Sequence, residues 1–285
     1  MKPKKFNLVL LFLWIFAIFA AIANGAFHLV ISIIVNPEVS LGLNGLILIL
    51  WIALTFLLIR FTPLRKMCPP RALNWAPLAF LLGGGGVMLP IYFTEDFGTI
   101  ANFLHWPATS MSWGGAYPEE ILKLLGALVL GFAIPQVRRP WQFAMIAFVI
   151  GLGFECVENF QYGIFGGIMD PISDADGLIQ TWIIRTIVGP WIHCILAAMS
   201  TYFVSMAILR ADFSASRRTL TAFAGWFWSF FLHFLYNYSP NNTEPHYITF
   251  GVALVLMIIS FILVMRHAYK GYKADEEART NWQFC

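Results

Sequence analysis

Long apolar runs, separated by short polar connections, make up almost the whole chain. Each run covers about 16 to 32 residues, enough to cross or nearly cross the roughly 30 Å hydrocarbon core of a bilayer. The sixth run is interrupted by Val188-Gly189-Pro190, so its regular part should begin near Trp191. The pattern predicts an all-α, polytopic bundle of about eight transmembrane helices, at residues 8–35, 44–61, 75–93, 119–134, 141–164, 178–209, 219–239 and 245–268.

The composition supports lipid as the solvent of this chain. Hydrophobic residues make up 59% of the 285 residues and charged residues only 12%, whereas soluble domains carry about 25% charged residues. A water-soluble fold is therefore excluded. The connections contain no separate soluble module, so residues 1–285 are expected to form one integral-membrane domain in the cell membrane.

The positive charges predict the orientation of the bundle. All Lys and Arg residues except Lys123 and Arg185 fall before the first run, in alternate connections, or in the tail, and Lys2, Lys4 and Lys5 begin this series. Cytoplasmic connections carry the excess of Lys and Arg, so both termini are predicted to be cytoplasmic. The net charge of +3 then reflects topology, and the bilayer rather than nucleic acid is the expected partner.

Several ionisable and amide side chains lie inside the apolar runs. A charged side chain near the bilayer centre costs about 3 kcal/mol on insertion scales, so a passive bundle would not retain a group of them. A functional site is the default explanation. The residues concerned are Glu119, Glu120, Lys123, Glu155, Glu158, Asn159, His193, His233 and Asn237.

The spacing of these ionisable and amide residues predicts that their side chains lie close together in the folded bundle. Within each run these residues are three or four positions apart, which places them on one face of a helix. Glu155 lies about 21 Å along its helix from the cytoplasmic end, at a rise of 1.5 Å per residue. His233 lies at a similar depth, whereas Glu119 and His193 are near the outer ends of their runs. All four helices can therefore meet in the outer half of the membrane.

This residue set suits the activation of water. A carboxylate can act as general base, a protonated carboxyl as acid, and an imidazole can stabilise an oxyanion or bind a metal. Four glutamates with Lys123 and Arg185 leave about two surplus negative charges if all ionise. Either shared protons or a divalent cation such as zinc must supply the balance. The candidate metal ligands are Glu155, Glu158, His193 and His233.

The order of these motifs resembles a known family. Glu119-Glu120 with Lys123, then "FECVEN" at 154–159, then His193 and "HFLYN" at 233–237, resemble the motif series of the PrsW family of intramembrane peptidases. That family is related to the CAAX-prenyl peptidases and the bacterial Abi-type proteins. The resemblance covers residues 119–237, and we take residues 119–239 as the motif-bearing catalytic core.

The resemblance implies an all-helical core that hydrolyses a peptide bond of a membrane-associated protein. The typical substrate is an anti-sigma factor, cut on its extracytoplasmic side. CAAX-type relatives carry a histidine where this chain has Glu158, which favours a carboxylate-rich variant here. Their site is thought to use a glutamate-activated water, so the name metalloprotease does not by itself transfer a metal to this chain.

We assign provisional roles to the core residues. Glu119 or Glu120 is the hypothesised base, and Glu155 and Glu158 position the water or share a proton. His193 and His233 stabilise the oxyanion or bind metal.

Four further residues have supporting roles in this hypothesis. Asn237 orients His233, and Asn159 belongs to the same helix face as Glu155. Lys123 compensates Glu119 or Glu120, and Arg185 either snorkels to the outer surface or grips a substrate carboxylate.

Two other functions fit a polar cluster in a membrane bundle. A non-catalytic scaffold of the same fold would bind a partner helix, but retention of every motif residue argues against it. A proton- or cation-coupled transporter would also use intramembrane carboxylates. The lack of inverted repeats and of polar residues in the cytoplasmic half of the runs disfavours a path through the membrane.

Overall fold

The computed structural model describes residues 7–240 and 243–282, and this part of the chain is helical and contains no strand. Lys2, Lys4 and Lys5, which contribute to the predicted orientation, lie outside the described residues. The prediction of an all-α fold is confirmed. The main helices are α1 (Leu8–Val35), α2 (Glu38–Phe61), α3 (Ala76–Ile91), α4 (Tyr117–Ala133), α5 (Pro140–Met169), α6 (Asp174–Val188), α7 (Ile192–Leu209), α8 (Ala215–Tyr236) and α9 (Thr243–Trp282).

The number of helices that qualify as membrane spans is smaller than the sequence pattern predicts. Within the described residues five segments are long and apolar enough, or six if α3 forms one bent span with Asp96–Phe103. The predicted fourth and seventh spans coincide with α4 and α8, which are outside this set. Helix α4 has only 17 residues and carries two glutamates in its first turn. The structure thus shows a multi-pass bundle, and eight spans remain a prediction.

Helix α5 is at the centre of the bundle. Of its most apolar 18-residue window, 83% is buried, compared with 22% for the corresponding windows of α1, α2 and α9. Helices α3, α4, α6 and α7 pack around α5, and α8 packs on α7. The large side chains on the outer faces of α1, α2 and α9 are exposed, as expected for surfaces in contact with lipid tails. The central position of α5 places its polar residues inside protein.

Glycines bring three helix backbones close to each other near the polar cluster. A Cβ atom on Gly83 would overlap the carbonyl of Ile150, and one on Gly153 would overlap the carbonyl of Phe80. On the other side of α5, a Cβ on Gly151 would overlap the backbone of His193. Small residues permit this close approach of membrane helices. The glycine-rich run of α3 is therefore a site of close helix packing.

The predicted interruption of the sixth run separates α6 from α7. Trp191 adopts a left-handed conformation with φ of 56°, and α7 begins at the next residue. Its indole Nε1 donates to Thr55 Oγ1 at 2.8 Å, and its ring stacks on Trp51 with centroids 4.7 Å apart. These contacts fix the break against α2, and they place His193 in the first turn of α7.

The connection between α3 and α4 folds over one end of the bundle. It consists of short helical turns between Glu95 and Ala116. The Ser112 hydroxyl donates to the Phe234 carbonyl at 2.8 Å, and the Ser239 amide donates to the Ala108 carbonyl at 2.9 Å. The connection is thus attached to the end of α8, next to the polar cluster.

Candidate active site

The polar residues of α4, α5, α7 and α8 come together in one buried cluster. Lys123 lies at its centre: its Nζ is 2.6 Å from Glu120 Oε1, 3.5 Å from Glu119 Oε2 and 3.0 Å from His193 Nδ1. The Lys123 side chain is fully buried. These distances join α4 to α7, and Lys123 compensates both Glu119 and Glu120.

Glu120 orients His233. Its Oε1 is 2.9 Å from His233 Nδ1. An ionised carboxylate can only accept hydrogen bonds, so this contact places the proton of a neutral imidazole on Nδ1. The unprotonated Nε2 then faces Glu119, 3.9 Å from Oε2. Glu120 is completely buried between Lys123 and His233, which suits an orienting role better than contact with water.

His193 has partners on both ring nitrogens. Lys123 carries donors but no acceptor, so His193 Nδ1 accepts from its ammonium group. Nε2 then carries the proton and donates to Glu158 Oε2 at 2.8 Å. The same Nδ1 lies 3.4 Å from Glu119 Oε2. His193 therefore links the Lys123 group to Glu158.

Arg185 pairs with Glu158 instead of extending to the surface. Its Nη2 forms an ion pair with Glu158 Oε2, and its Nε donates to Asn159 Oδ1 at 2.6 Å. The guanidinium lies 4.5 Å from the ring centre of Tyr162, and the side chain is only 16% exposed. The predicted snorkelling is therefore wrong, because intramolecular partners take up the guanidinium.

Glu155 contacts the start of α7. Its Oε1 accepts from the backbone N–H of Trp191 at 3.1 Å, and the Cys194 thiol lies 3.9 Å from Oε2. These groups belong to the break before α7 and to its first turn. Glu155 thus acts in the structure as an acceptor for backbone groups at the start of α7.

Asn237 does not orient His233 in the predicted way. Its side-chain nitrogen lies 3.5 Å from the carbonyl of Met111, and its backbone N–H donates to the carbonyl of His233. Glu120 takes the orienting role because it reaches the ring from α4. Asn237 instead links the end of α8 to the connection that precedes α4.

A cavity of about 390 Å³ opens onto the cluster. Of the four glutamates, Glu119 and Glu158 line it. Three residues outside the predicted site also line it, namely Tyr92, Gln161 and Tyr162. Gln161 and Tyr162 follow "FECVENF" directly, so their proximity to the motif was the available signal. Tyr92 carries no such signal because its position depends on how α3 packs.

Glu119, His193 and His233 form a group that could hold a metal ion. One ligand atom from each lies within 4.8 Å of the other two. The donors fit zinc, which catalytic sites often bind through two histidines and a glutamate, and the Glu120 contact to His233 is typical of metal-bound histidines. The predicted ligands included Glu155 and Glu158, but this group contains Glu119 instead. Binding at His193 would require Lys123 or Glu158 to leave its ring.

A comparison with family models identifies the chain. The model described as PrsW family intramembrane metalloprotease matches residues 71–264, about two thirds of the sequence. The chain belongs to the PrsW family. The resemblance drawn from the motifs is confirmed, and this PrsW family member is an intramembrane peptidase whose substrates are membrane proteins. No curated protein and no solved structure matches the chain.

Proposed function

We propose that this protein is an endopeptidase of the cell membrane that uses Glu119 to activate water in the cavity. The observation that carries the proposal is the position of Glu119. Among the described glutamates, it alone both lines the cavity and lies within 4 Å of His193 and His233. Glu120 and Glu155 are tied to His233 and to the start of α7, so Glu119 is the better base.

The proposed reaction begins with a water molecule next to Glu119. Glu119 takes one proton as the water oxygen attacks the peptide carbonyl carbon, and the carbonyl oxygen becomes an oxyanion. The Nε2–H of His193 donates to Glu158 Oε2 in the structure, and it would turn from that carboxylate to donate to this oxyanion. Glu119 then returns the proton to the amine nitrogen as the C–N bond breaks. His233 Nε2, next to Glu119, can share the proton meanwhile.

The surplus negative charge has two candidate counterions. Lys123 already occupies the space between Glu119, Glu120 and His193, which favours a shared proton for the remaining balance. The second candidate is a divalent cation held by Glu119, His193 and His233. When bound, zinc would supply a Lewis acid and a more acidic water. We favour the shared proton. In that case we expect the peptidase activity to survive prolonged treatment with a chelator.

Cleavage is proposed to occur near the extracytoplasmic side. The cation pair Arg138 and Arg139 precedes α5, at the opposite end of that helix from the cavity-lining residues Glu158 and Phe165. The cation-rich end is cytoplasmic by the positive-inside rule. This arrangement supports a cavity in the outer half of the membrane, and the proposal keeps eight spans with both termini inside as the topology predicted from the sequence.

The substrate is proposed to be a single-span membrane protein, such as an anti-sigma factor. This class is implied by the resemblance to the PrsW family. A non-catalytic scaffold would retain the fold without needing a cavity that reaches Glu119. A transporter would need a polar path to the cytoplasmic side, and the cavity lies on one side of the cluster.

A cleavage assay on a defined panel tests this function. Purified protein in phosphatidylcholine vesicles is mixed with single-span proteins that include anti-sigma factors, and new termini are mapped by mass spectrometry. We expect cleavage near the extracytoplasmic end of a span, and no cleavage by the Glu119→Gln variant. The same panel is assayed after chelation, with metal content measured per chain. Cleavage that needs one bound zinc, lost in His233→Ala, would favour the metal alternative.

A further inference from the structure

A second cavity lies between the first helices and α5, outside the catalytic cluster. Its volume is about 470 Å³ and its walls are almost entirely apolar. It exists because α1 packs mainly on the glycine-rich run of α3, whereas α2 packs on α5. We call this cavity the α1–α2 groove. Gly25 and Leu29 of α1, Leu48 and Ile52 of α2, and Val157 and Phe160 of α5 line it.

The groove is open on the side of α1 that faces lipid. No atom lies within 4 Å of the position that a Cβ on Gly25 would take, other than its own helix and neighbours. Leu29 is 47% exposed. The other wall is fixed, because Asn44 of α2 donates to the Phe160 carbonyl at 2.9 Å and accepts from Trp182 Nε1 at 2.6 Å. The space between the walls is therefore a stable feature of the fold.

The groove and the active-site cavity lie on two sides of the same turns of α5. Val157 and Phe160 line the groove, whereas Glu158 and Gln161 line the active-site cavity. These residues alternate along one stretch of helix. A segment lying in the groove is thus within one helix width of Glu158.

Polar side chains separate the two spaces. The Tyr92 hydroxyl, in the active-site cavity, donates to Asn24 Oδ1 in the groove at 3.0 Å. The Nδ1–H of His28 donates to the carbonyl of Asn24 at 2.9 Å, which leaves Nε2 as an acceptor. This Nε2 is buried and no described donor meets it in hydrogen-bond geometry, although the Gln161 side chain lies nearby.

We propose that the α1–α2 groove binds the membrane-spanning helix of the substrate before cleavage. The proposal rests on the proposed peptidase function and names the docking site for its substrate. An apolar groove next to the catalytic cavity suits a lipid-soluble helix. Cleavage requires local unwinding, and each freed backbone N–H costs several kcal/mol in lipid without an acceptor. His28 Nε2, in the wall of the groove, would offer an acceptor to such an N–H group. A lipid acyl chain has no N–H group and would not need this acceptor.

Photo-crosslinking tests the docking site without hydrolysis. The Glu119→Gln protein is placed in phosphatidylcholine vesicles with a single-span probe of about 20 leucine and alanine residues carrying a central benzophenone group. We expect crosslinks to map to residues that line the groove. Gly25→Leu, which fills the groove, should lower the yield at least about threefold, the effect of one lost interhelical contact.

The matched control is Gly251→Leu on α9, where a Cβ also meets nothing within 4 Å. This variant should retain the yield of the parent protein. Equal yields in the Gly25 and Gly251 variants would overturn the proposal. So would crosslinks spread over the lipid-facing surface of α9, or crosslinks that join the probe to phospholipid only.

The crosslinking experiment and the cleavage assay can fail independently of each other. Docking is measured in the Glu119→Gln protein, which should not hydrolyse a substrate, whereas cleavage is measured with the wild type. Probe docking in the groove together with failure of the cleavage panel would contradict the peptidase function only. Cleavage of the panel without probe docking in the groove would contradict the docking site only.

Discussion

At the scale of single residues, Lys123 organises the site. Its ammonium group is buried among Glu119, Glu120 and His193, and it lies 5.0 Å from the centre of the Phe154 ring. The i, i+3 and i, i+4 spacing predicted its pairing with the two glutamates. Its contact with His193 was not predictable, because it depends on how α4 packs against α7.

Removal of the Lys123 ammonium should destabilise the bundle. Lys123→Met leaves Glu120 buried beside no cation, and loss of one partner of a buried ion pair costs about 3–5 kcal/mol. The double variant Lys123→Met with Glu120→Gln should recover part of this loss, because the fully buried side chain at position 120 then carries no charge. The free energy of unfolding in detergent micelles measures both effects.

The control for this change is Lys270→Met on the exposed part of α9. The free energy of unfolding of this variant should equal that of the wild type. An unfolding free energy of Lys123→Met equal to that of the wild type would contradict the buried ion-pair network.

At the scale of the helices, the break between α6 and α7 positions His193. The sequence predicts this break from Gly189-Pro190, and α7 indeed begins just after Trp191. It does not predict that Glu155 accepts from the Trp191 amide, because side-chain direction at a break depends on the fold. This hydrogen bond supports the proposal that Glu155 positions the start of α7, and whether Glu155 is also catalytic stays a prediction.

Replacement of Glu155 separates positioning from catalysis. Glu155→Gln keeps an oxygen that can accept from the Trp191 amide, so kcat should fall by about fivefold or less. Glu155→Leu loses the acceptor and should impair activity and stability together. For each variant, kcat and the unfolding free energy are measured. Higher values of both in Glu155→Gln than in Glu155→Leu would support a positioning role. A hundredfold loss in Glu155→Gln with normal stability would instead make Glu155 a base.

Close packing of α5 should depend on its glycines. A Cβ on Gly153 would overlap the Phe80 carbonyl, so Gly153→Ala should lower the unfolding free energy by about 1–3 kcal/mol. Gly251→Ala, with open space around it, should leave stability unchanged or raise it, since alanine favours the helix. Equal stability of the two variants would contradict the close contact between α3 and α5.

At the scale of the whole molecule, a central helix is surrounded by peripheral helices. Hydropathy alone located each helical region, because a membrane demands long apolar runs. It predicts eight spans, a number that stays a prediction because α4 is short and α8 is more polar than the helices that qualify. It could not show that α1 and α2 pack on different helices and leave a groove, because lipid-facing and protein-facing apolar residues look alike in sequence.

Cysteine labelling tests the predicted orientation. Ile172→Cys, in the exposed connection after α5, should react in intact cells with an impermeant thiol reagent. Asp212→Cys, in the connection after α7, should react only after permeabilisation. Labelling of Asp212→Cys in intact cells would reverse the orientation and remove the argument for extracytoplasmic cleavage.

The most direct test of the central claim is the turnover of the Glu119→Gln variant on a single-span substrate that the wild type cleaves. Gln keeps the size of the side chain but removes the base, so kcat should fall at least about a hundredfold while the unfolding free energy stays near that of the wild type. Glu38→Gln, on an exposed glutamate outside the cluster, should cleave normally. Wild-type turnover by a folded Glu119→Gln protein would contradict the assignment of Glu119 as the residue that activates water.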